Sequence, residues 1–199
     1  MIEIDDCIPC WPFLVHRFFI TEHKTINDDI SKRLYEISKE EEGKIYSNYK
    51  GYHSNDLKHE NCIKPLAEAA IPMALGKIIS DFQMEKNVTG EFGLGIWGNL
   101  NYPNSYNKPH LHTNSHLSGI YYVKIPKDSG RLCLYNPNQY HDLDPFMNQN
   151  LYIIPKEGDI YIWRSDVVHD VEINNSKEDR ISVAFNIHME IQEGNRDNE

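Results

Sequence analysis

Two histidines stand two residues apart in Pro109-His110-Leu111-His112-Thr113-Asn114, and a third follows far along the chain in Val168-His169-Asp170. On one extended segment, side chains two apart face the same way, so His110 and His112 can converge on one ion while Leu111 points into the opposite layer. A third ligand supplied from a distant segment requires the tertiary fold, not local spacing, to close the site. That arrangement suits a β-sandwich or barrel. Arg180-Ile181-Ser182 lies shortly beyond His169, and a guanidinium forms a planar two-pronged fork with a carboxylate. The competing account of Arg180 is a surface residue after the charged turn Ser176-Lys177-Glu178-Asp179. Against it, Ile181, Val183 and Phe185 alternate with Ser182 and Ala184 in a strand that reads as buried on both sides.

The rest of the chain supplies a setting of the same kind. Phe13 to Ile20 is rich in aromatic and β-branched residues and reads as an opening strand. A helix follows, capped by Asn27 or Thr25, favoured in its first turn by Asp28 and Asp29, striped by Ile30, Leu34 and Ile37, and ended by Gly43. Residues 44–61 read as a long polar, aromatic connection, with a substrate-facing lid as the alternative. Pro65 opens a second helix reaching to about Lys86, kinked or restarted at Pro72, with Ile71, Leu75, Ile78 and Phe82 on its buried side. From Glu91 onward the pattern is strands. The loop 136–150, with His141, Asp142 and Asp144, reads as solvated. The expected fold is mainly β with flanking N-terminal helices.

The order of Pro109-His110-x-His112-x-Asn114-Ser115-x-Leu117-Ser118-Gly119-x-Tyr121-Tyr122-Val123, the Pro155-x-x-Gly158-Asp159 turn, His169 and Arg180-Ile181-Ser182-x-x-Phe185-Asn186 resembles the double-stranded β-helix oxygenases that use Fe(II) and 2-oxoglutarate. Within them it is similar to an oxygenase family often of phage and marine bacteria, over roughly residues 95 to 188. The resemblance implies a jelly-roll, cupin-like double-stranded β-helix and an Fe(II)/2-oxoglutarate dioxygenase, most simply a hydroxylase of a protein or small-molecule substrate whose identity these residues do not specify. It implies His110 and His169 as metal ligands, Arg180 with Ser182 as the grip on 2-oxoglutarate, and Tyr122 and Asn99 as further cosubstrate contacts. Most of that superfamily has a carboxylate where this chain has His112, which would complete the metal set as a third imidazole, with Asn114, Asp142 or water as substitutes. Around Pro109, His110 and Asn114 the segment also resembles the aspartyl/asparaginyl β-hydroxylases, which manage with two protein ligands. Two rivals follow from the missing carboxylate: a metal-binding β-barrel without oxygenase activity, and a cupin-type three-histidine enzyme that does not use 2-oxoglutarate.

Length and charge bound the remainder. A chain of 199 residues can bury a core without disulfides, and one oxygenase domain is expected over 1–190, with supporting elements in 1–90, the β-helix in 91–190 and a polar tail in 191–199. The net charge of −10 argues against bulk binding to nucleic acid or anionic membrane. The absence of a long apolar run or a signal-like N-terminus leads to a cytoplasmic expectation. Partners are then 2-oxoglutarate, dioxygen and a primary substrate, with the oligomeric state open and a homodimer among the options. Cys7-x-x-Cys10 has redox or zinc spacing without a second pair, Cys133 reads as a core residue, and free thiols are expected throughout.

Overall fold

The computed structural model describes residues 14–84, 88–137 and 150–191. Cys7, Cys10, His141, Asp142, Asp144 and the tail from 192 lie outside the described residues. Strand β1 (His16–Phe19) and helix α1 (His23–Glu40) open the fold, followed by the two-residue strands β2 (Asn48–Tyr49) and β3 (Tyr52–His53). A short 3-10 turn and a π-helical segment, Pro65–Ala70, lead into α2 (Ile71–Asp81). The strands β4 (Val88–Asn101), β5 (Tyr106–His110), β6 (Leu117–Lys124), β7 (Leu132–Tyr135), β8 (Asn150–Ile153), β9 (Asp159–Arg164), β10 (His169–Val171) and β11 (Arg180–Ile191) complete it. One sheet runs β1-β9-β6-β11-β4-β3 and the other β2-β5-β10-β7-β8, with every pairing antiparallel. Together they form the expected double-stranded β-helix.

The larger sheet is buried on both faces, and its strands sort their residues by parity. Ile181, Val183, Phe185 and Ile187 of β11 join Ile96 and Leu100 of β4, Tyr121 and Val123 of β6, and Ile160 and Ile162 of β9 in a core completed by Ile30, Leu34, Ile71, Leu75 and Ile78 of the helices. The opposite parity, Ile120, Tyr122, Tyr161 and Trp163, packs between the sheets against Leu132, Leu134 and Val171. Helices, large sheet and small sheet therefore make three layers, and the cavity described below opens between the last two. Leu34 approaches so closely to Gly98 that any Cβ there would overlap it. Gly158, at φ +88, turns the chain into β9, and a side chain there would collide with His23 and the carbonyl of Ile20.

Several local expectations change. Helix α1 begins at His23, ahead of the expected cap, because Asn27 does a different job: buried, it donates to the Val123 carbonyl at 2.7 Å and accepts from the Tyr121 hydroxyl at 2.5 Å, fastening α1 to β6. Pro72 cannot donate to the preceding turn, and the wide π-helical segment sits just before it. Helix α2 ends at Asp81, leaving Phe82 partly exposed. Leu111 is 41% exposed and faces the cavity instead of packing into the opposite layer, because β5 stops at His110 and strand alternation stops with it. Residues 44–61 contain two strands rather than one irregular connection. Cys133 is buried and Cys62 half-buried, and both are free thiols. Among the described residues no helix is long and apolar enough to cross a membrane.

Candidate metal centre

His110 closes β5 and His169 opens β10, and the two lie directly opposite each other in that antiparallel pair. Residues opposed across a ladder project from the same face, and the two rings are 4.3 Å apart between centroids. His112 lies beyond the strand. Its backbone N–H donates to the Ser165 carbonyl at 3.0 Å, and its ring comes to rest 5.1 Å from that of His110 and 5.2 Å from that of His169. One nitrogen of each imidazole lies within 4.8 Å of the others, close enough for modest ring rotations to bring all three onto one ion. Burial pushes His169 down to about 3 and His112 down to about 4, each reinforced by the neighbouring imidazoles, and burial lowers His110 as well. The cluster is therefore neutral at physiological pH, the form in which an imidazole ligates.

The second half of the site is built on the large sheet. Asn99 stands opposite Ser182, which stands opposite Tyr122, and two residues along the same strands Asn101 stands opposite Arg180. Arg180 is 0% exposed. Its Nη1 donates to Asn101 Oδ1 at 3.4 Å, while Nε and Nη2 have no hydrogen-bond partner among the described residues. The guanidinium lies 5.3 Å from the centre of the Tyr122 ring, and the Tyr122 hydroxyl is likewise unpartnered. Burial pulls the Arg180 guanidinium below its usual range, and proximity to Tyr122 offsets part of that pull. A buried cation without a counter-charge costs several kcal/mol, and among the described residues this one has only the Asn101 amide and the Tyr122 ring beside it.

A polar line joins the two halves. Asn101 Nδ2 donates to Asn107 Oδ1 at 3.0 Å, Asn107 Nδ2 donates to Ser47 Oγ at 3.2 Å, and Ser47 Oγ lies 3.4 Å from His110 Nε2. One cavity of about 1050 Å³ takes in His110, His112, His169, Arg180, Ser182 and Asn99. Tyr122 lies beneath its floor, buried under Arg180. Asn114 borders the cavity but is exposed.

Sequence reasoning missed four of these participants. Asn101 repeats the parity of Asn99, and Asn186 repeats that of Arg180 and Ser182, so strand alternation carried a signal for both. His53 and Ser47 gave no signal of their own beyond the substrate-facing alternative for residues 44–61, since their segment reaches the site only through pairing of β3 with β4 and of β2 with β5. His53 stacks on Trp97 at 5.4 Å, and with Lys44, Tyr46 and Asp56 it walls the cavity mouth.

Residues 95–186 match a family model described as "Putative 2OG-Fe(II) oxygenase". Match and fold together indicate a 2OG-Fe(II) oxygenase. Among solved structures, a prolyl-4-hydroxylase from Pseudomonas putida superposes with a TM-score of 0.65 at 13% identity, over 88% of this chain and 92% of that one. HygX from Streptomyces hygroscopicus, crystallised with nickel, 2-oxoglutarate and hygromycin B, gives 0.63 at 11% identity over 88% and 83%. The epimerase SnoN of nogalamycin biosynthesis, with Fe3+, alpha ketoglutarate and nogalamycin RO, gives 0.66 at 12% identity over 88% and 78%. Identities this low establish the shared fold. No curated protein sequence matches the chain. The three-histidine cluster is consistent with Fe(II), and 2-oxoglutarate with it as cosubstrate.

Proposed function

We propose that this chain is an Fe(II)- and 2-oxoglutarate-dependent hydroxylase in which His110, His169 and His112 hold the metal and Arg180 grips the distal carboxylate of the cosubstrate. The observation that carries the reading is the fully buried Arg180 guanidinium, with Nε and Nη2 unpaired among the described residues, bordering the same cavity as the three neutral imidazoles. Bound there, iron and 2-oxoglutarate would supply oxidative decarboxylation to succinate coupled to oxygenation of a second substrate by dioxygen.

The chain's own residues contribute placement and exclusion of water. His110 and His169 direct one nitrogen inward because the other bonds a backbone carbonyl, which also raises ligand basicity. Asn101 holds one arm of Arg180, leaving the other nitrogens free for a two-pronged carboxylate contact. Ser182 and Asn99 line the same stretch of cavity and offer further hydrogen bonds. The buried ring of Tyr122 sets the height of the guanidinium from below. A cavity of about 1050 Å³ is at the upper end of small-molecule sites, which accommodates cosubstrate and a second substrate together, the latter against Tyr46, His53 and Trp97.

The test is succinate formation from labelled 2-oxoglutarate by the iron-loaded protein, with and without cell extract, beside metal binding by variants. His110→Ala and His169→Ala are each expected to abolish one-to-one Mn(II) binding while retaining native circular dichroism, and His112→Ala to weaken it less. Full metal content in both of the first two would place the site elsewhere. The imidazole at position 112 favours one second reading, a three-histidine enzyme that does not use 2-oxoglutarate. Equal 2-oxoglutarate affinity in wild type and Arg180→Ala would select it.

A further inference from the structure

The three imidazoles differ in what holds their far side. Nδ1 of His110 lies 2.8 Å from the Lys108 carbonyl, and Nδ1 of His169 lies 3.0 Å from that of Val167. A carbonyl only accepts, so both rings carry their proton on Nδ1 and present a bare Nε2 to the cluster. Among the described residues no such carbonyl serves His112. Its Nδ1 lies 3.2 Å from Asn186 Nδ2, while Asn186 Oδ1 accepts from Ser118 Oγ at 2.8 Å. Ser118 Oγ in turn lies 2.8 Å from Ser165 Oγ, and either of these hydroxyls can be the donor. An amide that donates to Nδ1 leaves the His112 proton on Nε2, and an N–H cannot ligate a metal.

Two hydroxyls in series can run in either direction. Turning the Asn186 carboxamide over exchanges two ends of nearly equal size: Oδ1 then accepts from His112 Nδ1–H, Nδ2 donates to Ser118 Oγ, and Ser118 Oγ donates to Ser165 Oγ. Every contact survives with its polarity reversed, and His112 Nε2 is bare. Ser118 and Ser165 are both buried. The Ser165 carbonyl also holds the backbone N–H of His112, so the relay and the ring it controls share an anchor.

We infer that Asn186 is the positioning residue that decides whether His112 is a metal ligand, through the orientation of its carboxamide, with Ser118 and Ser165 as a reversible hydrogen-bond relay behind it. This rests on the reading of the three histidines as a metal site. His110 and His169 are committed ligands, and His112 is a conditional one.

Nitrogen-15 NMR of histidine-labelled protein reads the tautomer directly. His112 is expected to carry its proton on Nε2 in the metal-free protein and on Nδ1 once Zn(II) is bound, while His110 and His169 keep Nδ1–H throughout. Asn186→Leu, which removes the partner, is expected to weaken Mn(II) binding in anaerobic calorimetry by about tenfold to a hundredfold, the usual range for loss of a partner behind a metal ligand. Asn186→Asp, which can only accept, is expected to retain or strengthen binding, a rescue that simple space-filling would not give. If Asn186→Leu does not fold, Asn186→Ala carries the same test. Combining the Asn186 change with His112→Ala is expected to cost no more than His112→Ala alone, because both act through one ligand. Unchanged Mn(II) affinity without the Asn186 amide, or additive losses in the double variant, would overturn the inference. Retention of stoichiometric Mn(II) by His110→Ala is a different result and would defeat the metal site itself.

Discussion

Strand β11 presents two faces that obey different rules. Toward the helices, Ile181, Val183, Phe185 and Ile187 fill a dry core in which shape alone is at stake. Toward the small sheet, Arg180, Ser182, Ala184 and Asn186 border the cavity, and the buried guanidinium of Arg180 keeps nitrogens without partners. Arg180 and Ser182 are as buried as the apolar face, while Ala184 and Asn186 are half-buried. Protein interiors pair nearly all buried polar groups, so the two faces of one strand differ in how completely the described residues satisfy them, and the face with open donors is the one the proposed function assigns to a carboxylate.

The contrast can be broken by paired substitutions on this strand. Phe185→Ala empties a fully buried position against Gly119 and the helix core and is expected to lower unfolding free energy by about 3 to 5 kcal/mol, read from urea midpoints. Five residues away, Arg180→Met is expected to leave the metal-free, cosubstrate-free protein as stable as wild type or more stable by about 1 to 4 kcal/mol, since a buried unpaired charge is replaced by apolar surface of similar length. The same change should weaken 2-oxoglutarate binding to the Mn(II) form by about 2 to 5 kcal/mol, measured by calorimetry. Arg180→Lys should fall between, because an ammonium lacks the planar fork. Equal destabilisation by Phe185→Ala and Arg180→Met would mean that both faces are ordinary core.

The smallest expected effect sharpens the comparison at the metal end. His169 is held near 3 in the folded protein against an ordinary 6.5. Between those values the unfolded chain binds a proton that the folded one refuses, so the stability this residue contributes is complete above about pH 6.5 and is lost as pH falls toward 3. Between pH 6.5 and 5 the metal-free protein should lose roughly 1 to 2 kcal/mol on this account, with His112 acting in the same direction. Urea midpoints measured with chelator across that range give the slope, and His169→Asn should flatten it. A slope unchanged in His169→Asn would assign the acid sensitivity to other groups.

The parity of strands and the type of each site residue were legible in the chain itself. Alternation of Ile181, Val183 and Phe185 with Ser182 and Ala184 pointed to a strand with two inward faces, and the three histidines with Arg180 carried the expectation of metal and carboxylate chemistry, because residue type and a two-residue period need only local information. The partners of those residues were not legible. Asn27, one of the two expected caps of the first helix, instead fastens α1 to β6. His53 and Ser47, lodged in an unpatterned segment, reach the cavity only because β3 joins β4 and β2 joins β5. Spacing put His110 and His112 on one extended segment, but β5 stops at His110 and the bond from the His112 N–H to the Ser165 carbonyl brings the second ring in; only the pairing of β5 with β10 set His169 opposite His110, and only the meeting of β6, β11 and Ser165 put Asn186 behind His112. Local periodicity sets which face a side chain takes. Which distant face it meets is decided by sheet register, and register is a property of the folded whole.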